Sequence, residues 1–183
     1  MAQKTARTKP RLSAEALWDF AVKTLAARAY STGELRRKLI QKAERAADVD
    51  EAISRLRDYG YLNDRRFAES YAGFRLENQG LGKSRVLRDL RQRKVNAGLA
   101  EGAVDNIYRN VDEVELIDSF IRRKFRPKTP LPEALQDPKQ LASAYRRLIR
   151  AGFRSSNVIQ ALKRISKGDL LEGFEPPEEA EDS

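Results

Sequence analysis

The stretch STGELRRKLIQKA, residues 31–43, has the pattern of an amphipathic helix with its own amino-terminal cap. Ser31 and Glu34 stand at the spacing of a capping box, in which each side chain satisfies a backbone N–H group that the first helical turn leaves without a partner. Leucines follow four residues apart, which places them on one face of a helix. The stretch therefore predicts a helix over residues 32–43 whose apolar face is turned towards a core.

The same helix recurs twice downstream, in GKSRVLRDLRQRKV (82–95) and in KQLASAYRRLIRAGF (139–153). Leu39, Leu90 and Leu148 take equivalent places in these three helices, which we call the middle helices. Apolar residues continue at helical spacing before and after each of them, and no segment shows the alternation typical of a strand. We therefore predict an all-α fold of three tandem three-helix repeats, which form an elongated, curved molecule.

Turn residues and runs of charge indicate the boundaries between these parts. We expect a basic flexible N-terminal arm, three repeats and an acidic disordered tail. The arm covers residues 1–12, the repeats cover 13–62, 63–110 and 111–168, and the tail covers 169–183. A Pro-rich linker near residues 126–138 is expected to interrupt the third repeat.

Composition narrows the classes of function. The chain has neither cysteine nor histidine, which removes thiolate and imidazole groups from catalysis and metal binding. It shows no apolar run of membrane-spanning length and no signal-peptide pattern, so we expect a cytoplasmic protein with no cofactor and no membrane partner. The formal net charge is +9, although residues 172–183 hold six acidic residues and no basic one. The rest of the chain is thus still more basic, which predicts binding to nucleic acid.

The sequence Gly82-Lys83-Ser84 resembles the end of a nucleotide-binding P-loop, which raises the alternative of an ATPase. The first glycine of that motif would stand at position 77, where this chain has Glu77. A P-loop also follows a buried strand, whereas residues 64–79 carry aromatic side chains at helical spacing. The pattern favours a turn between helices in a non-enzymatic protein, with the N–H groups of Lys83 and Ser84 available to a phosphate.

Positive charge is concentrated beside the apolar stripes of the middle helices. The candidate binding residues are Arg36, Arg37, Lys38, Lys83, Arg85, Arg88, Arg91, Arg93, Lys94, Arg146, Arg147 and Arg150. In stacked repeats they would form a basic track, and the planar guanidinium group can donate two parallel hydrogen bonds to a phosphate. The alternative for any single arginine is a solvated helix face with ion pairs, but recurrence in three repeats favours binding.

Aromatic residues allow two interpretations. Tyr30, Tyr61, Tyr71 and Tyr108 can stack on nucleobases, or they can belong to the apolar core. Their spacing beside other apolar residues favours the core. No pattern indicates base-specific readout.

Three stretches together, 28–39, 52–75 and 80–95, resemble the RecX regulatory-protein family, and the resemblance extends over about residues 14–165. The residues that carry it are Tyr30, Ser31, Glu34, Leu35, Leu39, Gly60, Tyr61, Leu62, Asp64 and Phe67. The resemblance implies tandem three-helix repeats and a role in modulating the RecA recombinase.

Family members bind in the groove of the RecA–DNA filament, inhibit its ATPase, strand-exchange and coprotease activities, and contact DNA. The resemblance thus implies RecA and single- and double-stranded DNA as partners of a monomeric protein, in recombination, DNA repair and the SOS response. The alternative is a general nucleic-acid-binding helical repeat protein without a role at RecA.

The chain departs from the family at the ends of two middle helices. Family members often have glycine after the last basic residue, where this chain has Lys42-Ala43 and Lys94-Val95. The third middle helix retains a nearby glycine, Gly152. Because other residues tolerate a left-handed cap poorly, we expect local differences in these turns.

Overall fold

The structure, a computed structural model, describes residues 11–125 and 130–166. Within these residues the α-helices are α1 (Ala14–Ala27), α2 (Thr32–Ile40), α3 (Ala46–Asp58), α4 (Asp64–Phe74), α5 (Lys83–Gln92), α6 (Ala97–Tyr108), α7 (Glu113–Lys124), α8 (Leu131–Ala134), α9 (Pro138–Arg150) and α10 (Ser155–Ser166), and a short π-helix (Arg75–Gln79) follows α4. The part of the chain that the structure describes contains no strand, so the predicted all-α fold of helical repeats is confirmed. The acidic tail, most of the basic arm and part of the linker lie outside the described residues.

Helix α2 begins as the sequence predicts. The Ser31 hydroxyl oxygen accepts a hydrogen bond from the Glu34 N–H at 3.0 Å, and the Glu34 carboxylate accepts one from the Ser31 N–H at 3.4 Å. The Thr32 N–H donates to the Asp64 carboxylate at 2.7 Å. The capping box is therefore present, and Asp64 adds a second acceptor to the positive end of the helix.

Helix α2 ends at Ile40, short of the predicted end at residue 43. The backbone beyond it pairs with Leu12, whose N–H donates to the Lys42 carbonyl at 2.7 Å and whose carbonyl accepts from the Glu44 N–H at 3.0 Å. This pairing, an isolated parallel bridge, also corrects the extent of the flexible arm, because Leu12 is held against the first repeat.

Contacts divide the described chain into two compact units. The first unit extends to Ala68 and adds Leu90–Ala100, and the second comprises Glu69–Asp89 and the residues from Glu101 onwards. Helices α1, α2 and α3 pack together in the first unit. Its core contains Leu17, Leu35, Leu39, Val49, Ala52, Ile53 and Leu56, all of which are buried. The sequence-based boundaries differ from this division, since the residues of the second repeat contribute to both units.

The second unit is built around α7, α9 and α10, with Ile117, Ile121, Leu148 and Leu162 fully buried. The predicted linker near 126–138 is not simply a connection, because it contains the short helix α8. Proline is tolerated in the first turn of such a helix, where its missing N–H would have no helical partner. Leu135, directly after α8, is buried in the core, so this part of the linker is a packed element of the third repeat.

Candidate nucleic-acid interface

Within the first unit, the amino end of α2 lies against the carboxyl end of α5. The Ser31 hydroxyl donates a hydrogen bond to the Arg93 carbonyl, and the Arg93 guanidinium pairs with the Glu34 carboxylate at 3.3 Å. A β-carbon at Gly33 would approach the Lys94 carbonyl oxygen to 2.6 Å. Arg93, a predicted binding residue, thus has a structural partner, and Gly33 is the residue that permits close approach.

The second unit shows the corresponding contact between α5 and α9. The Gly82 N–H donates to the Ala151 carbonyl at 2.9 Å, and the Ser84 N–H donates to the Gly152 carbonyl at 3.2 Å. In the alignment of the middle-helix leucines, Gly82 is equivalent to Ser31 and Ala151 to Arg93. The first turn of one middle helix therefore contacts the last turn of the next middle helix, by the same positions in both units.

The structure around Gly82 argues against the P-loop interpretation. The segment before the glycine pair is the π-helix Arg75–Gln79, not a strand. Ser84 donates its N–H to a backbone carbonyl, so the expectation that this N–H is available to a phosphate is wrong. The Lys83 ammonium group is paired with the Asp105 carboxylate. The stretch is a docking turn between helices, as its defective glycine spacing indicated.

A buried carboxylate holds several polar groups of the second unit. Asp89 is 7% exposed and accepts hydrogen bonds from the Arg85 guanidinium at 2.9 Å and from the Tyr71 hydroxyl at 3.1 Å. The Arg75 guanidinium approaches the same carboxylate to 3.3 Å. Arg85, which we predicted to belong to the basic track, is thus paired with a residue of its own chain. Its Nη1 also donates to the Arg150 carbonyl at 3.5 Å.

Two further candidates have partners at the surface. Arg36 forms an ion pair with Asp50 in which both side chains are exposed. Arg147 donates to the Lys124 carbonyl at 2.8 Å, and its guanidinium lies 4.5 Å from the centre of the Phe125 ring. Exposed pairs of this kind contribute little to stability, so they leave such cations available for exchange to a phosphate partner.

Lys38 is directed towards an aromatic residue of the family motif. Its ammonium group donates to the Tyr30 hydroxyl at 3.1 Å. This hydrogen bond lowers the pKa of the Tyr30 phenol, and the positive charge of Arg28 acts in the same direction. Lys38 therefore positions Tyr30 as well as adding charge to the surface of α2.

Five candidate side chains have no partner within residues 11–125 and 130–166. These are Arg37, Arg88, Lys94, Arg146 and Arg150, and each is exposed. Arg37, Arg88 and Arg146 each stand two residues before the equivalent leucine of their middle helix. Arg91 is exposed as well. One position of the repeat thus presents an unpaired arginine three times, which is more regular than a solvated helix face requires.

Lys94 has a left-handed backbone, with φ of 60°. Gly152, the equivalent residue of the third repeat, also has a positive φ, of 93°. The second middle helix thus keeps the cap that we expected to change, and Lys94 takes the glycine conformation at a cost of about 1–2 kcal/mol. The turn at Lys42 does differ, since no other non-glycine residue in the described ranges has a positive φ.

The four tyrosines have different surroundings. The Tyr108 hydroxyl donates to the Leu81 carbonyl at 2.7 Å, and burial raises the pKa of its phenol, with a further contribution from Glu113. Tyr71 bonds to buried Asp89, and Tyr30 packs against the core of the first unit. Tyr61 is 61% exposed, so the expectation of a core position is wrong for this residue.

The remaining motif residues are mostly structural. Leu35, Leu39 and Leu62 are buried in the first unit. Gly60 has φ of 71°, in the left-handed region that favours glycine at the end of a helix. The Arg93 guanidinium lies over the ring of Phe67, 5.8 Å from the centre of that ring. No helix in the described part of the chain is long and apolar enough to span a membrane.

Two family models match the chain, and each represents a three-helix domain of RecX. The first three-helix domain of RecX matches residues 18–56, and the second three-helix domain matches residues 63–104. These ranges contain two of the three middle helices and the contact between Ser31 and Arg93.

Curated relatives match over most of the chain. The regulatory protein RecX of Haemophilus influenzae is 31% identical over 140 residues, which cover 75% of this chain and 87% of that protein. The regulatory protein RecX of Deinococcus radiodurans is 33% identical over 170 residues, which cover 92% of this chain and 74% of that protein.

Among solved structures, RecX from Lactobacillus salivarius superposes with a TM-score of 0.69 at 16% identity. The match covers 85% of this chain and 97% of that chain, and it supports the fold alone. The protein is thus an all-α helical repeat protein whose repeats dock through their middle helices. The chain belongs to the RecX family of regulatory proteins.

Proposed function

We propose that this protein regulates the RecA recombinase by binding the RecA–DNA filament. In this proposal it occupies the filament groove and inhibits the ATPase, strand-exchange and coprotease activities of RecA, without catalysing a reaction itself. It acts as a monomer in the cytoplasm, on single- and double-stranded DNA, within recombination and DNA repair. In this proposal all three repeats contact the filament.

Membership of a family of regulatory proteins is the first support for this proposal. The single structural observation that carries the DNA contact is the recurrence of an exposed, unpaired arginine at Arg37, Arg88 and Arg146. An unpaired guanidinium need not break an existing ion pair before it binds a phosphate, and its planar fork suits that partner. Arg150 and Lys94 extend the same charge at the ends of their helices.

A general nucleic-acid-binding protein is the second candidate, because the same unpaired arginines would serve it equally well. It would bind any DNA or RNA with a steep dependence on salt concentration, since counterion release dominates such binding. It would affect RecA only by competing for DNA.

The test is ATP hydrolysis by RecA on single-stranded DNA while this protein is titrated in. Suppression at concentrations far below that of RecA is expected from a regulator of the filament. Suppression only at concentrations that coat the DNA would contradict the proposal and favour the general binder. A reaction without RecA controls for hydrolysis by the protein itself, and turnover there that Lys83→Ala abolishes would restore the ATPase alternative.

A further inference from the structure

Three aromatic rings, two exposed and one partly buried, form a cluster at the surface of the first unit. The rings of Trp18 and Tyr59 have centroids 5.9 Å apart at an interplanar angle of 66°, and those of Tyr59 and Tyr61 are 6.1 Å apart at 52°. The Arg55 guanidinium lies 4.2 Å from the centre of the Trp18 ring. We call Trp18, Tyr59 and Tyr61 the aromatic cluster. Tyr59 is 62% exposed and Tyr61 is 61% exposed, which is unusual for rings of this size.

The backbone fixes these rings at the surface. Helix α3 closes with hydrogen bonds from the Tyr59 N–H to the Arg55 carbonyl at 3.0 Å and from the Tyr61 N–H to the Leu56 carbonyl at 2.8 Å. The left-handed Gly60 between the tyrosines reverses the chain, so Leu62 enters the core while both rings remain outside. A ring on a fixed turn loses little conformational entropy on binding, which favours a binding role.

The ring geometry leaves aromatic faces open. Neither pair of rings is parallel, so no ring of the cluster covers the full face of its neighbour. Centroid spacings of 5.9 and 6.1 Å exceed the rise of about 3.4 Å between stacked bases in a duplex. The exposed rings of Tyr59 and Tyr61 therefore suit bases of a splayed single strand, one base to a ring, rather than a continuous stack, while Trp18 supports Tyr59 from beneath.

The surroundings of the cluster favour nucleic acid over a protein partner. A cation touches the cluster directly, since the Arg55 guanidinium lies over the Trp18 ring. Protein interfaces need a well-packed apolar centre, but among the described residues of α1 the only exposed large aliphatic side chain is that of Val22, at 37% exposure. Tyrosine and tryptophan rings flanked by arginine are the usual platform for unpaired bases.

We propose that the aromatic cluster is a stacking site for unpaired nucleobases of single-stranded DNA. The site rests on the DNA contact of the proposed function and adds to it a preference for the single strand. The basic middle helices hold phosphates of either form of DNA, whereas the aromatic cluster engages only bases that are free to leave a stack. Alanine in place of one stacking ring is expected to weaken binding by about five- to a hundredfold.

Trp18 is the only tryptophan in the chain, so its fluorescence reports directly on the cluster. The whole 183-residue chain is titrated with oligo(dT) and with an abasic oligonucleotide of equal length, which has the same phosphates without bases. Oligo(dT) is expected to quench the Trp18 emission, while the abasic strand binds more weakly and leaves the emission unchanged. Equal quenching by the two strands, or no quenching by bound oligo(dT), would overturn the proposal.

Fluorescence anisotropy of labelled oligo(dT) then measures the affinity of ring variants. Tyr61→Ala is expected to lose affinity for oligo(dT) but not for the abasic strand, and Tyr61→Phe is expected to retain it because the ring remains. Phe74→Ala is the matched control, since Phe74 is 54% exposed and lies outside the cluster. Unchanged oligo(dT) affinity in Tyr61→Ala and in Tyr59→Ala would contradict the proposal.

The RecA assay separates this site from the proposed function. Failure of the wild-type protein to suppress RecA would contradict the regulatory role, while base-dependent quenching of Trp18 would still support the stacking site. Tyrosine variants that bind oligo(dT) normally but no longer suppress RecA would overturn the stacking proposal and identify the cluster as a protein-docking surface.

Discussion

Gly82 lies so close to Gly152 that a β-carbon at position 82 would overlap the Gly152 carbonyl group. The Ser84 N–H donates to that same carbonyl at 3.2 Å. Because the neighbouring atoms belong to backbone, they cannot move aside as a flexible side chain would. This contact joins two middle helices within the second unit, and it depends on the absence of a side chain at position 82.

Gly82→Ala is therefore expected to destabilise the protein by about 1–3 kcal/mol, the usual cost of forcing extra atoms into a packed contact. The free energy of unfolding is measured by urea denaturation. Gly102→Ala is the matched control, because a β-carbon there meets nothing within 4 Å and α6 gains about 0.5–1 kcal/mol of helix propensity. Equal stability of the two variants would contradict the docking role of Gly82.

Lys94→Gly is expected to stabilise the protein by about 0.5–1 kcal/mol. The substitution relieves a left-handed conformation that costs a non-glycine residue more than glycine loses in unfolded-state entropy. Lys42→Gly removes the same charge at a turn without a positive φ, so it should be neutral or destabilising. Thermal unfolding of both variants measures the difference, and a lower melting temperature for Lys94→Gly than for Lys42→Gly would refute the argument.

Asp89→Asn is expected to destabilise the protein by about 3 kcal/mol, because it leaves Arg75 and Arg85 beside a neutral group in a buried site. Asp50→Asn removes an equal charge from an exposed pair with Arg36 and should cost less than about 1 kcal/mol. Urea denaturation of the two variants tests this contrast. A decrease of less than about 1 kcal/mol in the free energy of unfolding of Asp89→Asn would show that the Asp89 network does not stabilise the fold.

Alkaline pH is expected to weaken the fold through Tyr108. The pKa of this partly buried phenol is raised above its ordinary value of 10.0, so the unfolded chain loses the proton first. Its contribution to stability is complete below pH 10 and falls as the pH rises further, by up to about 1.4 kcal/mol per pH unit. Tyr108→Phe should be less stable at pH 8, by about 1 kcal/mol, because it loses the bond to Leu81.

The same variant should lose stability less steeply than the wild type between pH 10 and 11, since phenylalanine has no proton to release. The free energy of unfolding at a series of pH values gives both slopes. Every other tyrosine is common to the two proteins, so its contribution cancels in the comparison. Parallel curves would show that Tyr108 ionises equally in the folded and unfolded states.

Local signals made much of the fold predictable. The capping box of Ser31 and Glu34 specifies the start of α2, and the equivalent residues Leu39, Leu90 and Leu148 are all fully buried. These features depend on neighbours within a few residues, so sequence spacing is enough to find them. Helix α8 was missed because a single turn beside proline has weak local signals. Its stability comes from Leu135, which is buried among core residues that are far from it in the sequence.

The candidate site was less predictable, because the partner of an arginine is set by tertiary structure. Arg88 and Arg93 have similar sequence surroundings, yet Arg93 reaches Glu34 of another helix while Arg88 remains unpaired within the described residues. The position of Tyr61 beside other apolar residues likewise favoured the core, although the turn at Gly60 directs its ring outwards. Tyr59 and Trp18 carried no sequence signal that distinguishes a surface cluster from a core.

The central claim is that unpaired arginines of the middle helices mediate the action on RecA. The most direct test compares suppression of RecA ATP hydrolysis by the triple variant Arg37→Glu/Arg88→Glu/Arg146→Glu and by the control Arg66→Glu/Arg109→Glu/Lys163→Glu. The control reverses three charges that are also exposed but lie outside the middle helices. We predict that the first variant needs at least about tenfold more protein for half-suppression, while the control stays close to the wild type. Equal suppression by both variants would contradict the account.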